Sequence, residues 1–144
     1  MKRLIILAIV ALLPLVAAAD HLGSDDLHAI QAVLDKQVAA WNRGDINGYM
    51  DGYARASDTM FVTTDTVTRG WQEVRDRYKA KYDTRAKMGT LAFSDIDFLQ
   101  HTADIVVVTG AWKLTREADA PHGRFTLIFH RIGQGWKIVY DHSS

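Results

Sequence analysis

The stretch that decides the fold is Ala40-Trp41-Asn42-Arg43-Gly44-Asp45-Ile46-Asn47-Gly48-Tyr49-Met50-Asp51-Gly52-Tyr53. A long amphipathic helix ends at Gly44, which suits a left-handed cap, and Asp45 caps a short second helix that starts at once. Upstream, Ser24 reads as the N-cap of the long helix. Asp25 and Asp26 sit in its first turn, where the helix dipole favours negative charge. Leu27, Ile30, Leu34, Val38 and Trp41 recur on one face, and Val33 widens the stripe. The second helix turns Ile46, Tyr49, Met50 and Tyr53 to one side and Gly48 and Gly52 to the other. Paired with the closing segment Gly135 to Ser144, this start points to helices lining a cone, walled by a sheet, around a pocket.

Working outward, Thr59 to Thr63 reads as a strand and Asp65-Thr66 as a turn. Gly70 opens a third helix with Trp71, Val74, Tyr78 and Tyr82 inward. After Gly89 only strands follow. Leu91 and Phe93 share one parity and Ile96 and Phe98 the other, so a bulge is expected near Ser94-Asp95. Asp104 to Arg116 and Gly123 to Ile132 form long strands, and Gly133-Gln134-Gly135 turns into a last strand, Trp136 to His142. Helices first and strands after predict an α+β class, with helices packed on one face of a curved, mainly antiparallel sheet.

Placing Ile132 opposite Trp136 divides that sheet into two apolar faces. Phe125, Leu127, Phe129, Val139 and Asp141 share the inner face with Ile105, Val107, Thr109 and Ala111. Thr126, Ile128, His130, Trp136, Ile138, Tyr140 and His142 share the outer face with Val106, Val108, Trp112 and Leu114. One set of helices covers one face. An outer face rich in Trp, Tyr and Ile predicts a symmetric homodimer joined through Trp112, Trp136, Ile138 and Tyr140.

Lys2 and Arg3 precede an apolar run from Leu4 to Val16 and then Ala17-Ala18-Ala19, the pattern of a secretory leader cut before Asp20. The expected division is a cleaved segment 1–19 and one domain, 20–144. The run is too short to span a membrane comfortably. A chain of 144 residues without cysteine meets an oxidising compartment with no disulfide, so a periplasmic or secreted location is expected. Removing Lys2 and Arg3 from the 17 basic side chains leaves 15 against 17 acidic ones, a poor balance for nucleic acid. The cluster Arg75, Arg77, Lys79, Lys81, Arg85 and Lys87 is interrupted by Asp76 and Asp83 and reads as a solvated helix face.

The chain resembles the NTF2-like superfamily, in particular its SnoaL-like, DUF4440-type and calmodulin-dependent kinase association-domain branches. The residues that carry the likeness are Ala40 to Asp45 with Tyr49, Arg69-Gly70-Trp71, Gly110-Ala111-Trp112, and Trp136 to Ser143. The resemblance implies a cone-shaped α+β fold and leaves activity open, because the superfamily holds isomerases, dehydratases, cyclases, binding modules and oligomerisation domains. Set against the steroid-isomerase branch, Thr63 occupies the place of the general-base carboxylate and Asp65 lies two residues on, in a turn. Set against the kinase-association branch, Leu127 and Thr109 occupy the places of pocket arginines. The implied pocket is apolar and does not favour an anion.

Asp141 is the leading catalytic candidate, a carboxylate among apolar inner-face neighbours whose pKa burial would raise. The other reading of Asp141 is a strand-end group that accepts backbone hydrogen bonds. Tyr53 is its candidate acid–base partner, since a buried phenol needs one. Trp41, Tyr49, Tyr53, Phe61, Trp71 and Tyr78, with Thr109, Leu127 and Phe129, are the candidate ligand-binding residues. His130 and His142 fall on the outer face. The six histidines include no pair at metal-ligand spacing, and no phosphate loop, dinucleotide fingerprint or nucleophile elbow occurs, so neither metal nor cofactor is expected.

Three functions fit. The first is an exported pocket protein that binds a small, mostly apolar molecule. The second is a cofactor-independent isomerase or lyase using Asp141 with a pocket tyrosine. The third is an oligomerisation or accessory domain whose cone is filled, with Trp41 and Trp71 closing it. A carboxylate and a phenol within hydrogen-bond reach would distinguish the second.

Overall fold

The computed structural model describes residues 23–144, and the leader read over residues 1–19 lies outside them. Helix α1 (Ser24–Asn42) buries Ile30, Leu34, Gln37, Ala40 and Trp41. Gly23, not Ser24, is its N-cap, a displacement of one position with Ser24 already helical. Asp26 in the first turn has a tertiary role, accepting from Trp136 Nε1 at 3.1 Å and pairing with Arg131 at 2.8 Å. Gly44 has φ +83°, the left-handed conformation needed to stop the helix, and Asp45 Oδ1 accepts from Gly48 N at 2.7 Å to start α2 (Ile46–Met50).

Strands β1 (Met60–Val62) and β2 (Val67–Arg69) form a short hairpin around the expected turn. Helix α3 (Trp71–Lys81) follows Gly70, and α4 (Arg85–Met88) is capped by Thr84. Then come β3 (Thr90–Thr102), β4 (Ile105–Thr115), β5 (His122–Ile132) and β6 (Gly135–Ser143). The described strands make one sheet in the order β2-β1-β6-β5-β4-β3. Neighbours are antiparallel except β1 and β6, which run parallel. The fold is thus the expected α+β cone, with helices packed on a curved, mainly antiparallel sheet. Its expected bulge lies between Ser94 and Asp97, where Asp95 takes φ +52°.

The division of faces needs correction. Gly133 alone in the β5–β6 turn has positive φ, and Ile132 pairs with Gly135 across a two-residue loop. Arg131 therefore faces Trp136, and Phe129 faces Ile138. An irregularity at Val139 then restores the pairs Ile128–Tyr140 and Leu127–Asp141. The consequence is that Trp136 and Ile138 point inward and are buried, at 3% and 0% exposure. On β4 the buried residues are Val106, Val108, Gly110 and Leu114, with Trp112 half-buried beside them. Of the residues assigned to an outer dimer surface, Trp112, Trp136 and Ile138 belong to the inner face, and only Tyr140 stays outside. Thr109 pairs with Thr126 on the outer face and is exposed. His130 and His142 are also exposed there.

Candidate active site

Asp141 sits where the sheet changes pairing. Its neighbour on one side is Phe61 of parallel β1 and on the other Leu127 of antiparallel β5. Two apolar neighbours and 2% exposure leave the carboxylate without water. Desolvation pushes its pKa up to about 6, against the pull of two hydrogen bonds and the nearby His142. Tyr53 Oη donates to Oδ2 at 2.5 Å, and Ser143 Oγ donates to Oδ1 at 2.7 Å. Asp141 is therefore a buried carboxyl held by two hydroxyls, with no backbone donor to its side chain among the described residues.

Tyr53 reaches it because the chain beyond α2 joins the sheet edge of β6. Ala54 N donates to Ile138 O at 2.8 Å and Ile138 N donates to Gly52 O at 2.9 Å. Gly52 permits this approach: a Cβ there would lie 2.8 Å from the Gln37 side chain, which is buried and donates to Tyr49 O at 3.1 Å. The glycine and the glutamine together set the phenol three residues along β6 from its carboxylate partner.

Above this pair lies a cavity of about 120 Å³. Of the candidate ligand-binding residues, Trp41, Tyr49, Tyr53, Phe61, Tyr78 and Leu127 line it with Asp141. Trp41 is fixed by Nε1 donating to Met88 O at 3.1 Å and meets Tyr49 and Tyr82 edge-on, at ring centroids 5.1 and 4.8 Å. Tyr78 contacts Tyr49 at 5.3 Å and Phe61 at 5.4 Å. Burial, and then the Asp141 charge, raise the Tyr49 and Tyr53 phenols; burial also raises Tyr78, followed by Tyr49 and Asp141. All three stay neutral hydrogen-bond donors.

Three expected ligand residues are elsewhere. Trp71 is half-buried outside the cavity, its Nε1 donating to Met50 O at 2.9 Å and its ring covered by the Arg55 and Arg75 guanidiniums at 4.5 and 5.3 Å. Thr109 lies on the opposite face, because β4 pairs Thr109 with outward Thr126 and Val108 with inward Leu127. Phe129 faces inward but is fully buried in the core, not on the cavity wall.

A family model described as a SnoaL-like domain matches residues 30–144. The chain belongs to the SnoaL-like domain family. An NTF-2 like protein of unknown function from Shewanella oneidensis MR-1 is 35% identical, with 82% of this chain and 98% of that chain covered and a TM-score of 0.79. An NTF2-like superfamily protein from Salmonella enterica is 19% identical over 84% of this chain and 91% of its own, with a TM-score of 0.67. A ketosteroid isomerase-like protein from Erwinia carotovora atroseptica is 20% identical over 85% of this chain and 97% of its own, with a TM-score of 0.64. These last two likenesses concern the fold alone. No curated protein shows significant similarity to the chain.

Within this SnoaL-like domain, sequence reading missed much of the wall. Trp112 and Leu114 line the cavity because β4 turns the Val108 side of its strand inward, and Ile138 because of the corrected β5–β6 register. Trp112 Nε1 is buried without a hydrogen-bond partner among the described residues. Ser143 lines it as well, and only the distance from its hydroxyl to Asp141 shows its role. Thr63 lines the cavity and shares a hydrogen bond with Thr66 at 2.8 Å, while Asp65 is exposed in the turn. Arg77 and Lys81, read as part of a solvated helix face, also border the cavity.

Proposed function

We propose that this domain binds a small, mostly apolar molecule and moves a proton on it, as a cofactor-independent isomerase or lyase. The observation that carries the reading is the 2.5 Å hydrogen bond from Tyr53 to a buried, ionisable Asp141 at the cavity floor. With a pKa of about 6, Asp141 is mostly a carboxylate at neutral pH yet basic enough to accept a proton. It takes a proton from a carbon next to a carbonyl. The C–H electron pair becomes the C=C of an enolate, and the carbonyl pair moves to oxygen. The neutral phenols of Tyr49 and Tyr78, on the same cavity wall, donate to that oxygen. In a β,γ-unsaturated ketone the enolate is conjugated, and return of the proton from Asp141 to the γ-carbon completes an isomerisation. In a substrate with a β leaving group the enolate pair re-forms the carbonyl and the group departs with its bonding pair, completing an elimination. Tyr53 acts through Asp141, orienting it and holding its pKa below the value burial alone would set, and is a positioning residue.

A small cyclic ketone tests this. Cyclohexanone in D2O should exchange its α-protons faster with the domain than in buffer, read by NMR, and Asp141→Asn should abolish the acceleration. No acceleration, or the same acceleration in the variant, overturns the catalytic reading. Binding without chemistry is the second reading, favoured by the apolar wall and by a cone left open by about 120 Å³. In that case a molecule copurifies with the protein and is released unchanged.

Assembly and location complete the proposal. The outer sheet face presents half-buried Val107, Ile128 and Tyr140, and a second copy of the chain covers it. The leader over residues 1–19 directs the domain to the periplasm or beyond. Native mass spectrometry of a periplasmic extract checks both, expecting a dimer whose chains start at Asp20.

A further inference from the structure

We infer that Arg77 and Lys81 form an anion-binding rim, so that the ligand of this cavity is amphipathic, a small apolar body carrying a carboxylate or similar acidic group. The inference rests on the proposed function only in that the cavity takes a small apolar molecule. Arg77 and Lys81 stand one turn apart on α3, where side chains share a face. Both border the cavity, Arg77 half-buried and Lys81 exposed, while Tyr53, Ile138 and Asp141 at the other end are buried. The cations therefore mark the mouth and the carboxylate the floor.

Position as well as pairing sets them apart, for Lys79 between them also has no ion pair among the described residues but does not border the cavity. Arg75 on the same helix is paired with Asp76 at 2.8 Å, and Lys87 with Asp83 at 2.8 Å. Neither Arg77 nor Lys81 has an ion-pair partner among the described residues. Arg77 lies over the Phe61 ring at 5.4 Å with Nη1 only 3.5 Å from Thr68 Oγ1, and Lys81 Nζ lies 5.4 Å from the Tyr82 ring centroid. Aromatic faces of the cavity wall thus hold both cations at the opening; apart from the long bond from Arg77 Nη1 to Thr68, their donors are left for a ligand. A negative group at the mouth would be paired there and kept away from Asp141, whose charge at the floor repels it. Orientation follows: the acidic end stays at the rim and the apolar end meets the acid–base pair. Cavities of about 150 Å³ lined by apolar side chains accept benzene, so a single ring is the right size of body.

Benzoate and its neutral isostere benzamide are the probes, titrated by calorimetry at pH 7.5 against the wild type and the Arg77→Gln/Lys81→Gln double variant. The wild type should prefer benzoate by about tenfold or more, the value of a charge-assisted contact. The double variant should lose that preference while keeping its benzamide affinity, which also shows that the cavity remains folded. Raising NaCl from about 50 to about 500 mM should weaken benzoate and spare benzamide. Equal affinity of the wild type for the two probes, binding of neither, or a preference that survives in the double variant overturns the inference. The two readings fail separately. Cyclohexanone exchange that persists in Asp141→Asn refutes the acid–base chemistry and leaves the benzoate preference standing, whereas absence of the preference in the wild type refutes the rim and leaves the exchange standing.

Discussion

Asp141→Asn should make the protein more stable at neutral pH while removing its chemistry. Asp141 is raised from 3.8 to about 6 on folding, chiefly by desolvation. The folded state therefore holds the proton more tightly than the unfolded chain, and stability falls as pH rises from about 4 to about 6. At roughly 1.4 kcal/mol per pH unit, the ionised group costs about 3 kcal/mol above that window. Asparagine removes the charge and keeps the shape. Its amide oxygen can still accept from Tyr53, and the Ser143 hydroxyl can turn to accept from the amide nitrogen. The expected gain is about 2–3 kcal/mol at pH 7.5 and under about 1 kcal/mol at pH 4, where Asp141 is already neutral in the folded state.

Urea unfolding at the two pH values measures this directly. With a slope of about 1–3 kcal/mol per molar urea, the pH 7.5 midpoint should rise by about 1 M or more while the slope is unchanged. A loss of stability at pH 7.5, or the same change at both pH values, would refute the reasoning. It would mean that Asp141 is a paired structural carboxylate whose charge contributes to the fold.

Three further outcomes follow from the same geometry. Tyr53→Phe leaves Asp141 Oδ2 without its buried donor and should cost about 1–3 kcal/mol in urea unfolding, while raising the pKa of Asp141 further. If Asp141 is the base, kcat/KM for α-proton exchange should rise with pH through about 6 and level off, with the limb moved to higher pH in Tyr53→Phe; a flat profile between pH 5 and 7 excludes Asp141 as the base. Gly123→Ala brings a Cβ into the backbone oxygen of Ser144 and near Trp112 Nε1, so it should disturb the end of β6 and lower the thermal midpoint, whereas Gly135→Ala, with open space around it, should not.

Much of the fold was legible because local chemistry and global topology agree. Gly44 followed by Asp45 announces one helix end and the next helix start without any tertiary information, and the change of parity between Phe93 and Ile96 announces the bulge. The face assignment failed on β4 because Val108, not Thr109, pairs with inward Leu127, and on β6 for a separate reason. A two-residue turn at Gly133-Gln134 and an irregularity at Val139 shift the register by one and then shift it back, and each one-residue slip turns side chains over. Asp141 and Leu127 lie beyond the second shift, so they were read inward correctly, whereas Trp136 and Ile138 lie before it and were read outward. Parity cannot show that β1 runs parallel to β6, and so could not show that Phe61 flanks Asp141. The rim cations were hidden by their own composition. A basic helix looks solvated until Phe61 and Tyr82 are seen to draw two of its charges over a cavity.

The placement of Asp141 fits the proposed function better than a structural role. A structural carboxylate earns its burial through cations or several backbone donors, which depress its pKa and stabilise the fold. Asp26, though only half-buried, shows the same pattern, with its pKa lowered by Arg131 and Trp136 as it ties α1 to the β5–β6 hairpin. Asp141 has two hydroxyls, apolar strand neighbours, a raised pKa and a cavity in front of it. The two free cations that line the same cavity stand at its mouth and not beside it. Nothing in this arrangement needs the negative charge for folding, since an asparagine would satisfy both hydroxyls. Keeping an ionisable group there should lower stability at neutral pH, a cost that the proposed role of Asp141 as a base at the floor of an aromatic pocket would explain.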